Sequence, residues 1–372
     1  MIIPQTTTTP TLFSHARLAC LCCPPASISE SAAARRVPAR KVSSKKSGAS
    51  KAKSPAKPRQ SAPSPRRIDV HHHIVPPVYA KSVGPDRAFL SSWSPAMALE
   101  DMDRGGTQTA VTCIYAGGAL AGHPDAGGIA RECNEYAQRM GEDHPGRFGF
   151  FATLPMPDVE ASLREVEYAL DVLHADGIYL QTSYGNRWLG DESFAPLWAE
   201  LDRRKAVVFT HPHAPDCCAG ILPGIPPAVI EYPADTTRTI ASLVFSGTAT
   251  RCPGVRFIFS HAGGTMPFLI ERFTRLAARP DMAARLPKGI LPELKRFYYE
   301  LAQAAHPMAV DSLRQLVPVS QILFGTDYPY RTTADIAKGV GRCGFSAAEL
   351  DRVNRGNALR LFPRLNSAKR ST

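Results

Sequence analysis

Eight short runs of apolar residues, largely β-branched or aromatic, recur at 68–73, 109–115, 148–154, 177–182, 206–211, 255–261, 297–301 and 321–327. Segments of helical period separate them. Strands that alternate with helices pair in parallel through right-handed crossovers. In "DVEASLREVEYALDVLHA", Leu163, Val166, Leu170, Val172 and Leu173 fall on one face behind Asp158, a residue suited to an N-cap. The eight units predict an α/β fold, a (β/α)8 TIM barrel over residues 68–365, with "SAAELDRVNRGNALRLF" as its closing helical segment. A doubly wound open sheet competes, but it would carry a Gly-rich phosphate loop after its first strand, where this chain has "HHHIVPP".

The net charge of +11 is placed unevenly: residues 1–67 hold 13 Lys or Arg against the single acid Glu30, so the body carries about −1. A near-neutral body gives no reason to expect a nucleic-acid surface. The extension, rich in Ser, Thr, Ala, Pro, Lys and Arg, has too few large apolar residues to offset chain entropy and is read as disordered, as residues 366–372 are read as flexible. Its acid-poor composition has the look of a transit peptide, but its apolar stretch is short and no run approaches the ~20 apolar residues of a membrane span. Six cysteines of the body (Cys113, Cys133, Cys217, Cys218, Cys252 and Cys343) show no CxxC spacing, which suits reduced thiols in a cytoplasmic protein.

Catalytic residues of such a barrel come from the C-terminal ends of its strands. The first strand ends in His71, His72 and His73, the fifth in "FTHPH" with His211 and His213, the sixth in "FSHAGG" with His261, and the eighth in "FGTDYP" with Asp327. Alternation along a strand puts His71 and His73 on one face and leaves His72 as a spacer pointing outward. Two imidazoles at i and i+2, a third from strand five and a carboxylate from strand eight make a His3Asp set. That set suits one Zn²⁺, and Mn²⁺ or Fe²⁺ accept the same donors.

"IDVHHHIVPP", "VVFTHPH", "FIFSHAGGTMPFLIERF" and "ILFGTDYP" together resemble the signatures of the amidohydrolase superfamily, in the branch typified by aminocarboxymuconate-semialdehyde decarboxylase. The resemblance implies a barrel of the metal-dependent hydrolase type in which His71, His73, His211 and Asp327 bind the metal. It also implies that His261 acts beside them on water or substrate, and that Arg272, eleven residues later, reaches a substrate carboxylate across a homodimer interface. "WSPAMALEDMDRGG" and "YGNRWLGDESFAPLWAEL" are most similar to 6-methylsalicylate decarboxylase-like members. The carboxylate-binding arginine of the muconate-semialdehyde enzymes falls at Ala98 here, which argues against their aliphatic substrate. Binuclear amidohydrolases bridge two ions with a lysine at the end of strand four. "GIYLQTSYG" has none, and Lys205 belongs to the opposite rim, so one ion is expected.

Two reaction classes fit such a site: hydrolysis of an amide or lactone by an activated water, and non-oxidative decarboxylation of a hydroxylated aromatic acid with Asp327 as proton donor and His261 on the phenolic oxygen. Subgroup resemblance and Ala98 favour decarboxylation of a small aromatic carboxylate. An arene needs aromatic walls, for which Trp93, Tyr115, Tyr184, Trp188, Phe268 and Tyr328 are the candidates, with His213 in a pocket or hydrogen-bonding role. The reading from outside enzymology is an inactive barrel that binds a partner through its basic extension.

Overall fold

The parallel strands β1 (Arg67–Ile74), β2 (Thr107–Ile114), β3 (Phe148–Thr153), β4 (Gly177–Gln181), β5 (Val207–His211), β6 (Arg256–Phe259), β7 (Tyr298–Glu300) and β8 (Ile322–Leu323) pair in chain order. The computed structural model describes residues 66–82, 92–114, 120–218 and 220–366. The expectations for the N-terminal extension, the last residues and Tyr115 fall outside them. The sheet closes where Val70 N–H donates to the Phe324 carbonyl (3.0 Å), Asp327 N–H to His71 (2.8 Å) and His73 N–H to Tyr328 (2.9 Å). The eight expected strands are thus the staves of one barrel.

The helices α1 (Pro95–Gly105), α2 (Ala126–Asp143), α3 (Val159–Glu167), α4 (Ala195–Arg203), α5 (Pro227–Phe245), α6 (Ile270–Ala277), α7 (Pro307–Leu316) and α8 (Thr333–Val340) connect the staves. Asp158 caps α3 as expected, accepting the Ala161 N–H at 2.9 Å. Alternation along each strand sorts the core into two layers. Tyr179, Val207, Phe209 and Ile258 fill an inner cluster that Leu361 and Phe362 of the C-terminal segment join, while Ile178, Leu180, Val208, Phe257 and Phe259 face helix residues such as Leu197, Ile240 and Val310.

β1 departs from simple alternation. Asp69 pairs with Ala110 and His72 with Thr112, so three steps on β1 match two on β2 and one residue is extra. Such a bulge puts Asp69 and His72 on the same outward face, where His72 Nδ1 meets Asp69 Oδ2 at 3.0 Å. The buried Asp69 carboxylate also accepts the His71 N–H (3.0 Å), the Thr326 N–H (3.0 Å) and the Thr326 hydroxyl (2.6 Å). One side chain therefore holds both the bulge and the β8–β1 seam. Among the described residues, no helix is long and apolar enough to cross a membrane.

Candidate metal centre

His71 and His73 leave β1 pointing into the mouth of the barrel, and His211 at the end of β5 joins them. Asp327 reaches the same point from the turn after β8, where its backbone takes a left-handed φ of 63° that Asp tolerates better than most residues. All four are buried, and each offers a ligand atom within 4.8 Å of the others. Asp327 Oδ1 lies 2.9 Å from His73 Nε2, 3.2 Å from His71 Nε2 and 3.9 Å from His211 Nε2, and the first two nitrogens are 3.1 Å apart. An ion about 2.1 Å from each donor spaces its ligands by about 3.0–3.4 Å, so these separations suit one ion.

The hydrogen bonds agree. His71 Nδ1 donates to Glu300 Oε1 at 2.9 Å and His73 Nδ1 to the Ile114 carbonyl at 3.2 Å, which turns both Nε2 lone pairs toward the common point. Both ring nitrogens of His211 are buried without a hydrogen-bond partner. A buried imidazole left this way is costly unless something else takes its lone pair. The donor set fits a divalent ion.

Electrostatics without the ion point the same way. Burial disfavours a charged His71, but Glu300 and Asp327 outweigh it and raise its pKa to about 10. Burial, with His73 and His71 alongside, keeps His211 well below the usual imidazole range. Burial alone would push the Asp327 carboxyl up, yet His71, His211 and His261 hold it well below the usual carboxylate range. Two buried acidic side chains, Asp327 and Glu300, thus flank the His71 ring and favour positive charge there.

His261 follows β6 with a left-handed φ of 56°, stacks on His71 (ring centroids 5.3 Å, 29°) and holds Nε2 3.6 Å from Asp327 Oδ2. Asp327 Oδ2 also accepts the Gln303 Nε2–H at 2.9 Å. Sequence reasoning missed Gln303 and Glu300. The only available signal for Glu300 was an acid at the end of an apolar strand, "YYEL".

A protein-family model described as Amidohydrolase matches residues 68–364. The chain belongs to the amidohydrolase family. Among its relatives, "Decarboxylase yanB" of Aspergillus niger is 40% identical over 322 residues, covering 80% of this chain and 88% of the relative. "6-methylsalicylic acid decarboxylase acuB" of Aspergillus aculeatus is 38% identical over 322 residues, 82% of this chain and 98% of that protein. A crystal structure of 5-carboxyvanillate decarboxylase from Novosphingobium aromaticivorans, complexed with manganese and 4-hydroxy-3-methoxy-5-nitrobenzoic acid, superposes with a TM-score of 0.71 at 19% identity, over 80% of this chain and 96% of that one. β4 runs into Gln181 and Thr182 rather than a lysine, and Lys205 is exposed just before β5. His71, His261 and Glu300 form a second convergent group, but Glu300 Oε1 there is occupied by His71 Nδ1 and the His261 N–H (2.7 Å).

Tyr328, Tyr184, Trp188 and His213, all expected around the pocket, hold defined contacts. Tyr328 stacks on His72 (4.6 Å, 16°), on the face of β1 turned away from His71 and His73. His72 is accordingly more than a spacer, since it packs this ring and bonds Asp69. Tyr184 is buried against Phe194, and its hydroxyl accepts the Gln181 N–H at 3.0 Å, so it props up the hairpin Ser183–Tyr184/Arg187–Trp188. Trp188 donates to Asp235 at 2.8 Å in that hairpin, and Phe268 is 86% exposed. His213 bonds the same hairpin through Ser183 Oγ at 2.9 Å. Trp93 keeps a buried indole N–H with no acceptor among the described residues. Among the described residues, rings beside the ligands include Phe209, 4.9 Å from His71, Tyr330, 6.3 Å from His73, and Tyr232 and Tyr179, 6.3 and 6.4 Å from His211. Arg272 is exposed on α6.

Proposed function

We propose that this amidohydrolase is a metal-dependent, non-oxidative decarboxylase of a hydroxylated aromatic carboxylic acid of the 6-methylsalicylate type. The observation that carries the reading is the 38% identity with acuB over nearly the whole of that protein. The ion's residence is assigned to His71, His73, His211 and Asp327, and its chemistry would be positive charge against the substrate's carboxylate and phenolic oxygens. Zn²⁺ is our reading, and manganese in the carboxyvanillate enzyme makes Mn²⁺ the alternative.

The chain's own groups then divide the work. His261 Nε2, buried and without a hydrogen-bond partner, is free to bind the phenolic oxygen and to relay a proton to Asp327 Oδ2, 3.6 Å away. Oδ2, steadied by Gln303, delivers that proton to the ring carbon bearing the carboxylate. The carbon–carbon bond breaks, its electrons restore the aromatic ring, CO2 leaves, and one proton is consumed per turnover. Trp93 offers its indole N–H toward the substrate.

Arg272 is assigned to the partner subunit's substrate in a homodimer. Its exposure supports this, as do the exposed apolar residues Ile221, Leu222, Ile225 and Ile230 around one cleft. Free thiols at all six described cysteines, four of them buried, suit a cytoplasmic site of action. The deciding assay incubates the metal-loaded protein with 6-methylsalicylate, related hydroxybenzoates and a panel of lactones and amides. CO2 and 3-methylphenol from 6-methylsalicylate are expected, whereas ring-opened acids without CO2 would make it a hydrolase.

A further inference from the structure

Glu300 stands where the two halves of the site meet. Its fully buried carboxylate accepts His71 Nδ1–H (2.9 Å) and the His261 backbone N–H (2.7 Å) on Oε1, and the Ala302 N–H (2.5 Å) on Oε2. Gly325 makes room for it: a Cβ there would collide with Oε2 and come within 3.0 Å of the His71 Cβ. A carboxylate buried so completely is costly unless donors and positive charge face it. The donors are in place. The charge is that of the ion assigned to the other side of the His71 ring, which Asp327 and Glu300 together would neutralise.

We propose that Glu300 is a positioning residue that ties the metal to His261. This rests on the metal-site reading above. Through Oε1 it keeps the proton of His71 on Nδ1, so that Nε2 faces the ion, and raises that ring's strength as a ligand. The same oxygen holds the backbone of His261 in its left-handed turn, which keeps the ring stacked on His71 with Nε2 near Asp327 Oδ2. One atom thus sets both the ligand and the proton carrier.

The test is Glu300→Gln in the full chain, which keeps the shape and an acceptor oxygen but removes the charge. Titration with Co²⁺ or Zn²⁺ against a competing chelator should show affinity lower by about 10- to 100-fold, the usual cost of losing such a partner. The Co²⁺ absorption bands should shift, and kcat at saturating metal should fall, while circular dichroism reports an intact fold. Where Glu300→Gln does not fold, Glu300→Asp serves, since its shorter side chain should lose the same contacts in part. A folded variant with wild-type Co²⁺ affinity and spectrum would overturn the proposal, and so would wild-type protein that binds neither ion. The metal readouts need no substrate, so wild-type protein that binds metal but releases no CO2 would overturn the decarboxylase reading alone.

Discussion

At the level of single residues, His71, His72 and His73 are neighbours with separate tasks. Replacing His71 or Asp327 by Ala should abolish both metal binding and turnover, because each removes a donor that no adjacent group can supply. His72→Ala should keep the metal and lose stability instead, by about 2–4 kcal/mol, because it empties the space against Tyr328 and unpairs Asp69. Metal analysis and denaturant titration of the three variants check this together. A second expectation concerns pH. With the pKa of His71 raised to about 10, the metal-free site holds a proton at neutral pH that the ion must displace. Metal affinity should therefore rise with pH by about tenfold per unit for each proton displaced, and level off only above about 10. Chelator competition between pH 6 and 9 measures it, and a flat profile would mean that His71 is neutral in the metal-free protein. The ligands themselves were legible because each is a polar residue ending an apolar strand. Glu300 was not, since a lone acid in "YYEL" shows its purpose only once the barrel closes and brings its carboxylate to His71. The aromatic walls were not legible for a related reason. Which face a ring occupies depends on turns such as Thr326–Tyr328, which carry no periodic signal.

At the scale of elements, the apolar runs located all eight strands because strands covered on both faces read as continuous apolar segments. The bulge in β1 left no such mark. It was settled by tertiary pairing, in which Asp69 meets Thr326 across the seam. Asp69→Ala removes the closer acceptor of the Thr326 N–H and hydroxyl, which keep only the His71 carbonyl at 3.3 Å, and takes the acceptor from the His71 N–H, a buried donor left unpaired costing about 1–3 kcal/mol. The expected loss is about 3–5 kcal/mol in denaturant unfolding. Weakened metal retention should accompany it, since the bulge aims His71. Wild-type stability would show that water replaces the carboxylate. The start of α5 likewise carries no mark in the sequence. The helix opens at Pro227 and carries Pro233 inside, where a proline removes one backbone donor. The carbonyl of Val229 is the one deprived of a donor, and Val229 is 62% exposed, so water can serve it. The hairpin after β4 was invisible in the sequence, since strands of two residues have no period to detect.

At the scale of the whole molecule, the role proposed for Arg272 would link oligomeric state to activity. It lies on the outward face of α6, whose buried side is Phe273 and Ala277, so the helix directs its guanidinium away from the core it packs on. If a second copy supplies the substrate beneath it, the planar guanidinium grips a carboxylate in a bidentate pair that lysine cannot reproduce. Arg272→Lys should then weaken substrate binding by about 1–3 kcal/mol with metal content unchanged. Arg272→Ala should lose most turnover. Mixing Arg272→Ala chains with His71→Ala chains tests the geometry directly. In a heterodimer, the site with intact metal ligands sits on the Arg272→Ala chain and receives Arg272 from the His71→Ala chain. That one site is complete, so activity should return to about half the wild-type value per dimer, as expected for one competent site of two. Proven heterodimers with no recovered activity, or a fully active monomer on sedimentation, would confine the arginine to its own chain and remove the reason for the dimer.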